Sequence, residues 1–169
     1  IGMASFEGII RDGRTYVDKT ELMWEMIELS KYIFLSRPRR FGKSLLVTTL
    51  KAYFEGKREL FEGMKITELE KEWLPYPVIR LDLSLAKARS SAGELRNALA
   101  LIIEPYEELY GKNESERMPG ERLNGVIKKA FEQTGKQVVL LIDEYDAPIL
   151  DMLNEDEKLD DFRQVMQEF

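Results

Sequence analysis

The chain has 169 residues, enough for one ordinary domain with a real core, and its 44% hydrophobic and 33% charged content is that of a globular protein rather than a disordered or fibrous one. Having neither cysteine nor histidine, it has no disulfide frame, no thiolate zinc site and no His-dependent triad, so acid–base chemistry falls to carboxylates, lysine or bound water. A net charge of −6 argues against whole-surface affinity for nucleic acid, and no run approaches the about 18 apolar residues of a membrane-spanning helix.

The opening "IGMASFEG" lacks the basic-then-apolar layout of a secretory signal, and with the lack of cysteine this fits a cytoplasmic protein. "YVDKTELMWEMIEL" (16–29) reads as a turn feeding a helix. Asp18 with Glu21 three residues later resembles a capping box, and Leu22, Met26 and Leu29 recur at helical spacing. "KYIFLS" (31–36) reads as a short buried strand. A helix follows from about Lys43, with Leu46, Leu50 and Tyr53 on one face and Gly56 as its stop. "RELFEG" and "ITELEKEW" read as one or two short helical pieces, and Pro75 and Pro77 break the chain before a second strand, "VIRLDLS" (78–84).

Residues 92–110 form a long helix turning Leu95, Leu99, Ile102 and Ile103 inward, which Pro105 is expected to kink or end early. Gly111 to Gly120 is a polar connector. A helix over 121–134 carries Leu123, Val126, Ile127 and Ala130, and Gly135 closes it. "QVVLLID" (137–143) shows no alternation, so it is expected to be a strand covered on both faces. Asn154 with Glu157 caps a last helix. This alternation predicts an α/β fold, a parallel sheet with helices on both faces.

Charge is unevenly placed. Residues 37–58 hold Arg37, Arg39, Arg40, Lys43, Lys51, Lys57 and Arg58 against Glu55, whereas 143–169 hold ten acids against Lys158 and Arg163. A basic front and an acidic tail suit a polyanion with a metal, and equally suit solvated helix faces. Within the basic stretch, "SRPRRFGKSLL" (36–46) ends as a phosphate-binding loop ends, but Arg37 stands where such a loop usually opens with glycine. A strand, a turn, then GKS opening a helix is the context that phosphate binding requires. N–H groups at a helix start have no intrahelical partner, and the dipole favours an anion there. Gly42 lets the backbone approach closely, Lys43 neutralises β- and γ-oxygens, and the Ser44 hydroxyl can ligate Mg2+.

"VVLLIDEYD" supplies the second half, with Asp143 and Glu144 at the carboxyl end of a strand, where ligands gather in open α/β sheets. Asp143 is suited to hold Mg2+, and Glu144 to orient and deprotonate the water that attacks the γ-phosphate. GKS alone occurs by chance, and many strands end in acids. Together and in this order, the two point to nucleotide binding.

The stretches "YVDKT", "FLSRPRRFGKSLL", "YFEGKRELFEG" and "VVLLIDEYDAPI" resemble the AAA-ATPase-like family of bacterial and archaeal proteins, over Phe6 to Ile149. In that family R-P-R-R-F-G-K-S is the rule, so the resemblance accounts for the missing glycine. It implies a three-layer P-loop NTPase fold, with ATP and Mg2+ as ligands. The resemblance further implies that Arg39, Arg40, Phe41, Gly42, Lys43, Ser44 and Leu45 lie along the nucleotide, that Ser44 and Asp143 hold the metal, and that Lys43 and Glu144 act in catalysis. By analogy Tyr16, Val17 and Asp18 line the base pocket; the alternative is a helix cap plus core packing. One of Arg37, Arg39 and Arg40 is expected to clamp phosphate or balance the acids, and Pro38 to stiffen the loop. For Asp146, a turn acid before Pro148 is the expected role.

The resemblance also implies that residues 1–169 are the N-terminal part of one P-loop domain. Two further strands are expected after it, one of them between the phosphate-loop strand and the Asp143 strand. Without it the sheet has a central gap that exposes two strand edges. Family members commonly continue into a domain resembling PD-(D/E)xK nucleases, so any nucleic-acid partner is expected only through such a domain. A homo-oligomer is left open. The functional expectation is an ATPase acting as a switch or motor for a downstream domain, against a non-hydrolysing nucleotide-binding or interaction module.

Overall fold

The computed structural model describes residues 5–36, 41–87, 89–150 and 156–169, and the chain divides into two compact units, Ile1–Val78 and Ile79–Phe169. It is a mixed α/β structure whose sheet, among the described residues, is two parallel strands.

The first unit is helical. It contains α1 (Phe6–Arg11), α2 (Thr20–Leu29), α3 (Lys43–Phe54), a 3-10 turn (Arg58–Phe61) and α4 (Ile66–Leu69). Its core is rich in aromatics. Phe6 is fully buried, with its ring 4.8 Å from Phe61 and edge-on to Tyr16 at 5.1 Å. Helix α1 was not foreseen from its short sequence. It forms because the Ser5 hydroxyl caps it by accepting from Gly8 N, and because Phe6 N donates to Thr48 Oγ1 at 3.0 Å, tying α1 to α3.

Helix α2 turns a different face inward from the expected one. Leu22 and Leu29 are exposed, and the buried positions are Thr20 and Met23, with Trp24 and Ile27 packed beside them. Asp18 sets this register. Its Oδ1 accepts from the backbone and hydroxyl of Thr20, and its Oδ2 accepts from Lys65 N at 2.8 Å, joining the starts of α2 and α4. The cap therefore works through Thr20, not through a reciprocal Asp18–Glu21 box. Helix α3 packs Leu46, Leu50 and Tyr53 on the core as expected. Gly56 follows it at φ 72°, where a Cβ would sit 3.0 Å from the Trp73 carbonyl oxygen.

Residues 31–36 are not the expected buried strand. They pair with no strand among the described residues, and Tyr32 and Phe34 are 92% and 71% exposed. Tyr32 instead bonds locally, its N–H donating to the Ser30 hydroxyl and its carbonyl accepting from it, whatever the β-propensity of the run.

The second unit holds β1 (Val78–Asp82), a 3-10 turn (Leu83–Ala86), α5 (Ala92–Tyr110), α6 (Pro119–Thr134), β2 (Val139–Asp143), α7 (Ala147–Leu150) and α8 (Asp156–Glu168). Strand β1 stops two residues short of the expected end because Asp82 Oδ1 accepts from Ser84 N at 3.1 Å and starts the turn. Helix α5 runs on through Pro105 to Tyr110. Pro105 and Leu101 face solvent, so the carbonyl that loses its donor is offered to water. The aliphatic core packs Ile79, Leu81, Leu99, Ile103, Val126 and Phe162 between strands and helices. Glu107 of α5 and Arg122 of α6 form a buried two-armed ion pair at 2.6 and 2.7 Å.

The expectation that β2 is covered on both faces does not hold either. Leu140 and Ile142 are 38% and 45% exposed, and they line an apolar groove of about 400 Å³ with Tyr145, Met166 and Phe169. The cap expected from Asn154 and Glu157 lies outside the described side chains.

Candidate functional site

The residues expected to take phosphate lie at the start of α3. Gly42 has φ 77° and ψ 17°, a left-handed conformation that a side chain disfavours, and among the described residues its missing Cβ would meet nothing within 4 Å. The backbone therefore turns into the helix at one residue. Lys43, Ser44 and Leu45 make the first turn, which carries no acid of its own at the positive end of the helix dipole. Lys43 and Ser44 are half-buried, and Phe41 is exposed. Leu45 packs its side chain on the core, while its carbonyl accepts from the hydroxyls of Thr48 and Thr49. What Leu45 can offer a phosphate is its backbone N–H.

Part of the basic front is already neutralised. Lys51 pairs with Glu55, and Lys57 pairs with Glu55 at 3.1 Å and with Glu7 of α1 at 2.9 Å. The Glu7 carboxylate holds the Lys57 ammonium above its ordinary pKa. Arg37, Pro38, Arg39 and Arg40 lie outside the described residues.

Tyr16 and Val17 differ. The Tyr16 ring is half-buried against Phe6, and burial raises its pKa despite a hydrogen bond with Thr49 of α3. Val17 is 70% exposed. Asp18 is committed to its structural bonds. Burial pushes its carboxyl up, but the hydrogen bonds from Lys65 and Thr20 outweigh that and hold it below the ordinary value.

The acidic pair lies in the second unit, at the carboxyl end of β2. Asp143 is buried, its side chain 2% exposed, and its charged partner among the described residues is Arg80 of β1, Nη2 to Oδ2 at 3.5 Å. The same nitrogen lies 3.3 Å from Asp82 Oδ2, so two carboxylates converge on one cationic nitrogen. Glu144 follows at φ 53°. A left-handed conformation at a non-glycine residue costs roughly 1 kcal/mol and clusters at functional turns. It ends the strand abruptly and turns the chain at the residue expected to handle water. Asp146 serves the turn, its carbonyl accepting from the N–H of Ile149 and Leu150, both at 3.1 Å.

Among the described residues, no three acidic side chains gather as a ready-made metal cage. Mg2+ commonly takes only one or two carboxylates and fills its shell with water and substrate phosphates, so the donor set is not at odds with it. Arg80 was missed by sequence reasoning, though a signal was present. It interrupts an apolar strand two residues before Asp82, which puts both side chains on one face.

The family model described as "Predicted AAA-ATPase" matches residues 1–169. The chain is 37% identical, over 158 residues, to the "Uncharacterized protein in vnfD 5'region" of Azotobacter chroococcum mcd 1. That match covers 93% of this chain and 30% of the relative, so the chain spans less than a third of the relative's length. No solved structure matches. Among the described residues, no helix is long and apolar enough to cross a membrane.

Proposed function

Because the chain belongs to the predicted AAA-ATPase family, we propose that it binds ATP with Mg2+ and hydrolyses it, the start of α3 taking the phosphates and the end of β2 serving metal and water. The observation that carries this reading is the left-handed Gly42 opening α3 directly into Lys43 and Ser44, with no acid in the turn. Lys43 neutralises the β- and γ-oxygens, and the Ser44 hydroxyl and the Asp143 carboxylate are the metal ligands. Bound there, Mg2+ supplies charge neutralisation on the transferring phosphoryl group. That Asp82 and Asp143 already share a cationic nitrogen supports a cation at this strand end. Glu144 takes a proton from the attacking water. Arg39 and Arg40 reach phosphate, Phe41 borders it, and Tyr16 and Val17 flank the base. Turnover drives a further part of a longer protein, and nucleic acid enters only there.

Calorimetric titration of the chain with MgATP tests this beside Lys43→Ala. The substitution should weaken binding by roughly 100-fold, as expected for losing charge-assisted hydrogen bonds. Unchanged binding by a folded Lys43→Ala protein would overturn the reading. A second reading, a non-hydrolysing interaction module, is favoured by the exposed Leu140, Ile142 and Tyr145 side chains. Phosphate release under saturating MgATP separates the two.

A further inference from the structure

Two of the arginine–carboxylate arrangements among the described residues differ in kind. Arg122 meets Glu107 with two nitrogens on two oxygens at 2.6 and 2.7 Å, the fork geometry of a structural pair. Arg80 instead places one nitrogen between two carboxylates, 3.3 Å from Asp82 and 3.5 Å from Asp143. Among the described residues its buried Nε has no hydrogen-bond partner. Both contacts lie at the long end of what counts as a hydrogen bond. A buried carboxylate so lightly held is costly unless something else takes it.

The two acids are also held unequally. Asp82 is fixed through its other oxygen, which accepts from the backbone and hydroxyl of Ser84, and its side chain is 25% exposed. Asp143 is 2% exposed and has Arg80 as its charged partner. Arg80, itself 26% exposed, can therefore release Asp143 and keep Asp82 without leaving its charge unpaired.

We propose that Arg80 is a resident counter-cation of the candidate metal site, holding Asp143 in position while no divalent ion is bound and yielding it, while keeping Asp82, when one is. The inference rests on the reading of Asp143 as a metal ligand. It makes Arg80 a positioning residue that also suppresses metal binding in the absence of nucleotide. Because the contact uses a single nitrogen, a lysine ammonium can replace it, which a two-armed structural clamp would not allow.

The test uses the whole chain, with Mn2+ as probe, followed by calorimetry and by electron paramagnetic resonance, without nucleotide and with a non-hydrolysable ATP analogue. Arg80→Met should bind Mn2+ about tenfold more tightly than the unsubstituted chain without nucleotide, because a like charge near the ligand has been removed from a partly screened site. Arg80→Lys should return the affinity to the starting level, and Asp143→Asn should remove the gain. If Arg80→Met does not fold, Arg80→Gln and the Mn2+-dependent rise in its thermal midpoint give the same readout. Folded Arg80 variants that bind no tighter, while Asp143→Asn still lowers affinity, would sink the proposal and leave the metal reading standing. No Mn2+ binding by any protein, even with the analogue, would remove both.

Discussion

"YIFL" at 32–35 and "VLLI" at 139–142 are nearly interchangeable as sequence, since both are short aliphatic or aromatic runs ahead of a polar turn. The second is a strand, and the first is a largely exposed segment without regular secondary structure. The difference is a partner. β2 lies beside β1, whose Ile79 and Leu81 are fully buried, whereas 31–36 has no strand beside it among the described residues. A helix closes its own hydrogen bonds, but a strand borrows them from a neighbour, so strand identity belongs to the pair rather than to the segment. The same comparison explains the exposed side of β2. Leu140 and Ile142 belong to a strand with a partner on one edge and an incompletely covered face.

That contrast can be broken most forcefully at a buried strand residue. Leu81→Ala should cost about 3 kcal/mol, as full burial in a packed core implies, while Tyr32→Ala should change stability by no more than about 0.5 kcal/mol. Urea denaturation followed by circular dichroism reads both. Comparable costs at the two positions would mean that 31–36 has a partner after all.

The crossover that brings β2 to β1 is pinned by Glu107 and Arg122. Glu107→Gln should destabilise by roughly 3 kcal/mol at neutral pH, because a buried guanidinium loses its counter-charge. The hydrogen bond from Arg122 holds the Glu107 carboxyl below its ordinary value of 4.5. A depressed carboxyl pKa contributes stability that is present above the ordinary value and lost as pH falls through the folded one. Urea midpoints taken downward from pH 7 should therefore drop below about pH 4.5, and Glu107→Gln should flatten that part of the profile. A parallel profile in the variant would show the pair to be uninvolved.

The smallest effect lies at the end of β2. Glu144→Gly should raise stability by about 1 kcal/mol or less by relieving the left-handed backbone. The same substitution should remove ATP turnover while leaving nucleotide binding in place. A glycine variant that is less stable would show that the Glu144 side chain, not its backbone, supports the turn.

Much of the candidate site was legible because its signals are local. Gly42 opening a helix at Lys43 and acids closing an aliphatic strand are patterns of adjacent residues, and the structure has that helix and that strand. Several misreadings involve distant residues. The start of α2 is tied by Lys65 reaching Asp18, α1 by Phe6 N reaching Thr48, and 31–36 has no strand beside it among the described residues. Arg80 was overlooked because a lone arginine in a strand acquires meaning only when Asp143, 63 positions away, comes alongside.

By itself, the sequence determined where α3 begins, that Gly56 and Gly135 follow α3 and α6, and that an aliphatic strand ends at Asp143, and it marked Lys43, Ser44, Asp143 and Glu144 as candidates for phosphate and a divalent ion. These follow from backbone propensity, capping and side-chain chemistry within a few residues. Tertiary structure alone decided which apolar runs become strands, which helix face points inward and which cation sits on Asp143, because each depends on hydrogen bonds or charges contributed from far along the chain.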